Sequence, residues 1–226
     1  EAESTATLAD AVVICVGLDG KMEGEEGGTY KGFEKGDRDT LELPPIQLEL
    51  IQRICALGKP TVVVNFSGSA VNLEPARAAN AIVQAWYPGQ CGGLAVAEML
   101  FGEFSPSGRL PVTFYKSVDD LPPFEDYSMA NRTYRYFTGT PLYPFGCGLS
   151  YTTFEYSPLH LSALFVKPGE VITAEITVKN TGRIASGLSV LLYIKDDEAS
   201  VPVPIRSLCG FKHMFINPGD FADVSF

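Results

Sequence analysis

Basic residues are in short supply in this sequence. Its 17 Lys and Arg stand against 27 Asp and Glu, for a formal net charge of −10. A chain this acidic repels phosphate backbones, which argues against nucleic acid as a partner and leaves neutral ligands undisfavoured. Histidine is scarcer: His160 and His213 are the only two. A zinc site needs at least three N or S ligands at short spacing, and none is visible, so no metal is expected. The cysteines, Cys15, Cys55, Cys91, Cys147 and Cys209, are odd in number and widely spaced, with no C-x-x-C pair. They read as small buried hydrophobes. Long apolar runs are also missing. The run Ala11–Val16 near the start falls far short of the roughly 20 residues a membrane-spanning helix needs. The opening Glu1-Ala2-Glu3-Ser4 lacks the basic lead of a secretory signal, which decides little about compartment.

What is present is ordinary globular composition, 46% hydrophobic and 19% charged. Asp10–Gly17 is a continuous apolar run that predicts a strand buried on both faces. Pro44 and Pro45 suit the first turn of a helix, and Leu48, Ile51, Ile54 and Cys55 recur at helical spacing on one face. Gly58 and Pro60 stop it. Thr61–Phe66 and Ala81–Tyr87 read as further strands, and Leu94–Phe101 as a short helix closed by Gly102. This alternation predicts an α/β layer with a mostly parallel sheet. Three strands are few for a free-standing parallel sheet, so the start at Glu1 is expected to cut through a larger domain.

Residues 106–150 change character. Leu121-Pro122-Pro123-Phe124, Tyr134-Arg135-Tyr136-Phe137 and Pro141–Gly146 are rich in proline, glycine and aromatics. An ordered connector packed between two domains is expected there. Beyond it, Val171–Val178 alternates apolar and polar residues, Asn180-Thr181-Gly182 is a turn, and Leu188–Ile194 and Cys209–Phe215 read as strands. That pattern predicts a β-sandwich, with the chain stopping inside a further strand at Val224-Ser225-Phe226. The expected organisation is α/β over 1–115, connector over 116–151 and an incomplete β domain over 152–226.

The segment 19–38, DGKMEGEEGGTYKGFEKGDR, follows the C-terminal end of the first strand, the edge where open α/β sheets bind ligands. Glu23, Glu25 and Glu26 crowd together among glycines that let the loop bend close to a ligand. Clustered carboxylates raise one another's pKa, and a carboxyl held protonated can act as a general acid. On residue types alone, a solvated acidic loop is the commoner outcome.

Longer motifs run through the chain in order. They are Val16-Gly17-Leu18-Asp19 with Glu23 and Glu25; Asp37-Arg38; Leu41, Leu43-Pro44, Gln47 and Leu50-Ile51; and Gly68-Ser69-Ala70. Then come Gln84–Gln90 with Gly92-Gly93, Gly102–Phe114 (GEFSPSGRLPVTF) and Tyr143–Gly146 with Gly148–Thr152. Together they resemble the C-terminal part of glycoside hydrolase family 3, the β-glucosidases and β-xylosidases. The resemblance implies a partial α/β sandwich, flavodoxin-like in its layer, followed by a fibronectin type III-like sandwich, truncated at both ends. It implies a preceding (β/α)8 barrel carrying an Asp nucleophile, and a β-linked oligosaccharide or aryl or alkyl β-glycoside as substrate. It further implies retaining, exo-acting chemistry with the general acid/base on the 19–38 loop. In many relatives that group is the second Glu of E-x-E-G, close before D-R. Here Glu25 holds that position, Glu23 is the second choice, and Glu26 and Glu34 are remote ones. Glu26 replaces the usual glycine, and residues 27–36 lengthen the loop. Asp37 and Arg38 are read as pinning the loop, and an extracellular or periplasmic setting is favoured. The M-E-G-E-E form leans toward the xylosidase-like branch. No cofactor is implied, and the chain alone is expected to be inactive.

Two other readings remain. One is a non-catalytic carbohydrate-binding or structural module of the same family. The other is a nucleotide-binding flavodoxin-like domain, disfavoured because Glu crowds the loop where phosphate would sit. Trp86 reads as a core aromatic rather than a sugar platform, and Tyr134-Arg135-Tyr136 as packing between domains. Asn65 and Asn131 match the glycosylation pattern. Asn65, in a buried strand, is expected to be unused.

Overall fold

The computed structural model describes residues 1–23, 38 and 40–226. The chain divides into two compact units. The first comprises 1–96, 112–133 and 137–144; the second comprises 97–111, 134–136 and 145–226.

In the first unit, α1 (Ala2–Leu8) leads into β1 (Val12–Gly17), a single turn α2 (Gly20–Glu23), and α3 (Pro45–Cys55). Then follow β2 (Thr61–Phe66), a 3-10 helix (Glu74–Ala78), β3 (Ala81–Gln84) and the start of α4 (Gly92–Leu100). The three strands pair in parallel in the order β1-β2-β3, with Ile14 opposite Val63 and Val63 opposite Ile82. Pro45 opens α3, where a missing N–H costs nothing. The helix buries Ile51 and Ile54, which join Ile14, Val16, Val63, Val64, Leu43 and Leu73 in the core. Gly17 closes β1 at φ +148°, and a Cβ there would fall 1.8 Å from the Phe66 carbonyl oxygen. Only glycine fits this approach.

Three expectations need correction. First, β1 is not covered on both faces: Val13 is 51% exposed and Cys15 is exposed. β1 is an edge strand, and its alternating side chains bury Ile14 and Val16 on one face only. An apolar run marks an apolar strand, but it does not say that both faces are covered. Second, the cysteines are not buried. Cys15, Cys91 and Cys209 are exposed, and Cys55 and Cys147 are half-buried. Third, β3 ends at Gln84 rather than Tyr87, because Trp86 turns to φ 57° and extended geometry cannot continue.

The second unit is antiparallel. Its strands are β4 (Phe154–Tyr156), β5 (His160–Leu161), β6 (Ala174–Asn180), β7 (Ser186–Ile194), β8 (Ser207–Ile216) and β9 (Phe221–Ser225). β4 and β5 pair with β6 in succession along one edge, β9 pairs with its other edge, and β7 pairs with β8. β6 begins at Ala174, later than the alternation suggests, and Val171 is exposed. Val178, Leu188, Val190, Ile216 and Val224 form one buried cluster drawing on β6, β7, β8 and β9. Asn180, fully buried, donates through Nδ2 to the Ile184 and Ile216 carbonyls and accepts at Oδ1 from Thr152 Oγ1 and Gly182 N. Tyr134 also belongs to this unit. Its ring stacks on Phe145 at 4.3 Å and meets Tyr193 edge-on, and its hydroxyl accepts from Leu208 N at 3.1 Å.

Candidate functional site

The C-terminal ends of β1, β2 and β3 lie along one edge of a parallel sheet, so the segments leaving them emerge together. Each contributes to a single cluster of polar groups. After β1, Asp19 turns the chain into α2: its Oδ1 accepts from Lys21 N at 2.9 Å and Met22 N at 2.8 Å. Glu23, at the end of that turn, directs its carboxylate at the segment after β2. Its Oε1 accepts from Ser69 Oγ at 2.8 Å and from Gly68 N at 3.2 Å.

The segment after β2 is held from beneath by buried polar groups. Asn65 Nδ2 donates to Ser67 Oγ at 2.8 Å and to Gln84 Oε1 at 2.6 Å. Ser67 Oγ in turn donates to the Ser69 carbonyl at 2.8 Å. Asn65 and Ser67 have no exposed surface, so this network fixes the turn that carries Gly68 and Ser69. It engages both N–H donors of the Asn65 amide nitrogen. Gly68 has no room for a side chain: a Cβ would meet the Tyr87 ring at 2.7 Å and Glu23 Oε2 at 3.1 Å.

After β3, the positive φ of Trp86 redirects the chain, and the Tyr87 hydroxyl donates to the Leu18 carbonyl at 3.1 Å, tying the β3 exit to the β1 exit. The half-buried Trp86 packs its ring edge-on against buried Phe114 at 6.1 Å. Burial pushes the Tyr87 phenol above its ordinary pKa, and the neighbouring Glu23 carboxylate adds to the shift. Tyr87 is therefore a neutral donor at this edge.

Arg38 completes the cluster. Its Nη1 donates to Ser69 Oγ at 2.7 Å and to the Ala70 carbonyl at 3.2 Å, and its Nη2 donates to the Thr40 carbonyl at 3.1 Å. Burial lowers its pKa and Glu23 opposes that shift, as an opposite charge should. Arg38 Nε is buried and has no hydrogen-bond partner among the described residues. Deeper in the unit, Gln47 reaches from α3 to the last residue of β1. It accepts from Gly17 N at 2.8 Å and donates to the Gly17 carbonyl at 2.9 Å, satisfying both backbone groups of the last residue of β1.

Of the site residues expected from sequence, Glu23 and Arg38 are thus brought to one point. Glu25 and Asp37, with Glu26 and Glu34, lie outside the described residues. Sequence reasoning did not single out Ser69 or Tyr87 as site residues. The available signal was positional, since both directly follow strands of the parallel sheet. No group of three or more His, Cys, Asp or Glu among the described residues is arranged to hold a metal.

This edge is set in an α/β unit followed along the chain by antiparallel strands. Residues 1–151 match the glycosyl hydrolase family 3 C-terminal domain, and residues 189–226 match a fibronectin type III-like domain. The chain belongs to glycosyl hydrolase family 3. It is 46% identical to a xylan 1,4-β-xylosidase of Xylanibacter ruminicola over 95% of its own length and 25% of the relative's. Among solved structures it is similar to a β-glucosidase of Erythrobacter marinus, at TM-score 0.83 and 37% identity, over 99% of this chain and 30% of that one. It is also similar to an exo-β-xylosidase in complex with a xylobiose aziridine probe, at TM-score 0.84 and 30% identity, over 99% of this chain and 32% of that one. The chain therefore spans between a quarter and a third of the length of these relatives.

Proposed function

We propose that this chain supplies the general acid/base of a retaining, exo-acting β-glycosidase that removes non-reducing terminal β-D-glucosyl or β-D-xylosyl residues, and that Glu25 is the acid/base. The partner is a (β/α)8 barrel of the same protein, bearing the Asp nucleophile. Retention proceeds by two displacements. The nucleophile attacks the anomeric carbon while the acid/base protonates the leaving oxygen. The acid/base, now a carboxylate, then takes a proton from the water that releases the sugar. The two carboxyl groups must stand about 5–5.5 Å apart across the sugar.

The observation that carries the choice of residue is the engagement of Glu23. Its carboxylate already accepts from the Ser69 hydroxyl and the Gly68 amide. Both donors belong to the turn after β2 that the buried Asn65 and Ser67 network fixes, so this carboxylate is already committed to the sheet edge, which suits an anchor and not a group that must reach a leaving oxygen. Glu25, two residues on in the same E-x-E pattern, has the residue type and the position for that task. Relatives named as β-xylosidase and β-glucosidase support both sugars as substrate classes.

The test is a comparison of Glu25→Ala with Glu23→Ala in the enzyme containing the barrel. Each variant is assayed on aryl β-glucosides and β-xylosides with poor and with activated leaving groups, with and without azide. Glu25→Ala is expected to lose about 10²–10⁴-fold on poor leaving groups. It should keep the first step on activated ones and yield the β-glycosyl azide when azide replaces water. A β-glycosyl azide from Glu23→Ala instead would move the role to that residue. The product's absence from both would return the loop to a structural part.

A further inference from the structure

Glu23 and Arg38, which flank residues 24–37 in the sequence, meet at one atom. Ser69 Oγ accepts a hydrogen bond from Arg38 Nη1 at 2.7 Å and spends its single proton on Glu23 Oε1 at 2.8 Å. A hydroxyl has one proton and two lone pairs, so this is the combination it can satisfy at once between a cation and an anion. Both bonds are charge-assisted, the stronger kind of hydrogen bond.

Each of the three participants is fixed independently. Ser69 stands on the buried Asn65, Ser67 and Gln84 network through its own carbonyl. Arg38 is held by the Ala70 and Thr40 carbonyls, and Glu23 by Gly68 N and by the Asp19-capped turn. Glu23 and Arg38 are therefore pinned to the sheet edge rather than merely to each other. Gly68 packs against the Tyr87 ring too tightly to admit a methyl group.

We infer that the Ser69 hydroxyl is a positioning residue for the reaction: it clasps Glu23 and Arg38, and so fixes the two residues that flank the stretch of sequence 24–37 bearing the proposed acid/base. This rests on the reading that Glu25 is that acid/base. Loss of the hydroxyl acts through Glu23 and Arg38, and a displacement of about 1 Å in a catalytic group can cost on the order of 100-fold in rate. Because Ser69 is exposed, its removal leaves no large buried void. The consequence is geometric before it is energetic.

A positioning role predicts a pattern that a general loss of stability does not. Ser69→Ala, made in the enzyme containing the barrel, is expected to slow turnover of glycosides with poor leaving groups by about 10- to 100-fold. It should stay within about threefold of the parent on activated dinitrophenyl glycosides, which need little protonation. Azide should yield no glycosyl azide from Ser69→Ala, because the acid/base carboxylate is still present. Ser69→Thr, which keeps the hydroxyl, should restore the poor-leaving-group rate to within about threefold, and it serves as the second probe if the alanine variant folds badly. Equal losses on both kinds of substrate, no loss on either, or failure of Ser69→Thr to recover the poor-leaving-group rate would overturn the clasp. Glu25→Ala in the same series separates the two ideas. If it shows no leaving-group dependence, the underlying reading fails. If it behaves as an acid/base variant while Ser69→Ala does not follow the pattern, only the clasp fails.

Discussion

At the residue scale, several side chains do work that their type alone does not announce. Asn180 is an amide in the middle of a β core, yet both its oxygen and its nitrogen are satisfied, so it organises the turn after β6 instead of destabilising it. Gly17 is required by the 1.8 Å approach to the Phe66 carbonyl. The cysteines differ from one another in a way that can be measured. Burial pushes the Cys55 thiol up, and burial does the same at Cys147 with a smaller opposing pull from Arg109. A raised pKa lowers the thiolate fraction at every pH below it, and the thiolate is the reactive species. Cys15, Cys91 and Cys209 are exposed. At pH 8 a maleimide should label these three first, with Cys55 and Cys147 slower because burial both raises their pKa and hinders access. The gap should narrow as pH rises and the hindered thiols ionise. Peptide mapping after timed quenching would read this directly. Equal rates at all five would mean that the burial around Cys55 and Cys147 does not govern their chemistry.

At the scale of elements, the second unit depends on a small cluster in which each member matters. Leu188 is 2% exposed and packs with Val178, Val190, Ile216 and Val224. Leu188→Ala should cost about 2–5 kcal/mol, the transfer term plus the cavity left behind. Urea unfolding followed by far-UV circular dichroism would measure it, and a loss below about 1 kcal/mol would place the core elsewhere. The strands around this cluster were legible in sequence as alternating runs bounded by turns, and α3 was legible from its prolines and its apolar spacing. The parallel sheet was legible too, because apolar runs alternated with helical segments. What could not be read was coverage and convergence. The open face of β1 depends on what packs against Val13 and Cys15, which the run of apolar letters does not encode. The end of β3 is set by the positive φ of Trp86, a conformation that tryptophan's own preferences oppose. The clasp joins Glu23 to Ser69 across 46 positions and Arg38 to Ser69 across 31. Only the parallel order of β1 and β2 brings those segments to the same edge.

At the scale of the whole molecule, the question is what this chain can do by itself. Two-step retention requires two carboxyl groups facing each other across the anomeric carbon, about 5–5.5 Å apart. The described residues form a parallel sheet of three strands and antiparallel sheets of four and two strands; none of these is a (β/α)8 barrel. The relatives are three to four times longer, since the chain covers 25% of one and 30% of another. An acid/base without a nucleophile can protonate a leaving oxygen, but it has nothing to stabilise the carbon left behind. The two groups act as a unit, so one alone does not give a proportionate share of the rate. The 226-residue chain, purified alone, is therefore expected to show no turnover of dinitrophenyl β-xyloside or β-glucoside above the buffer rate. These substrates remove the need for acid catalysis, so on the proposed reading they test whether this chain holds a nucleophile. Turnover that disappears in Glu25→Ala would contradict this, and would show that the chain carries a second reacting carboxylate of its own. Turnover indifferent to Glu25 would point to a contaminating glycosidase, which a heat-matched control lacking the chain would expose.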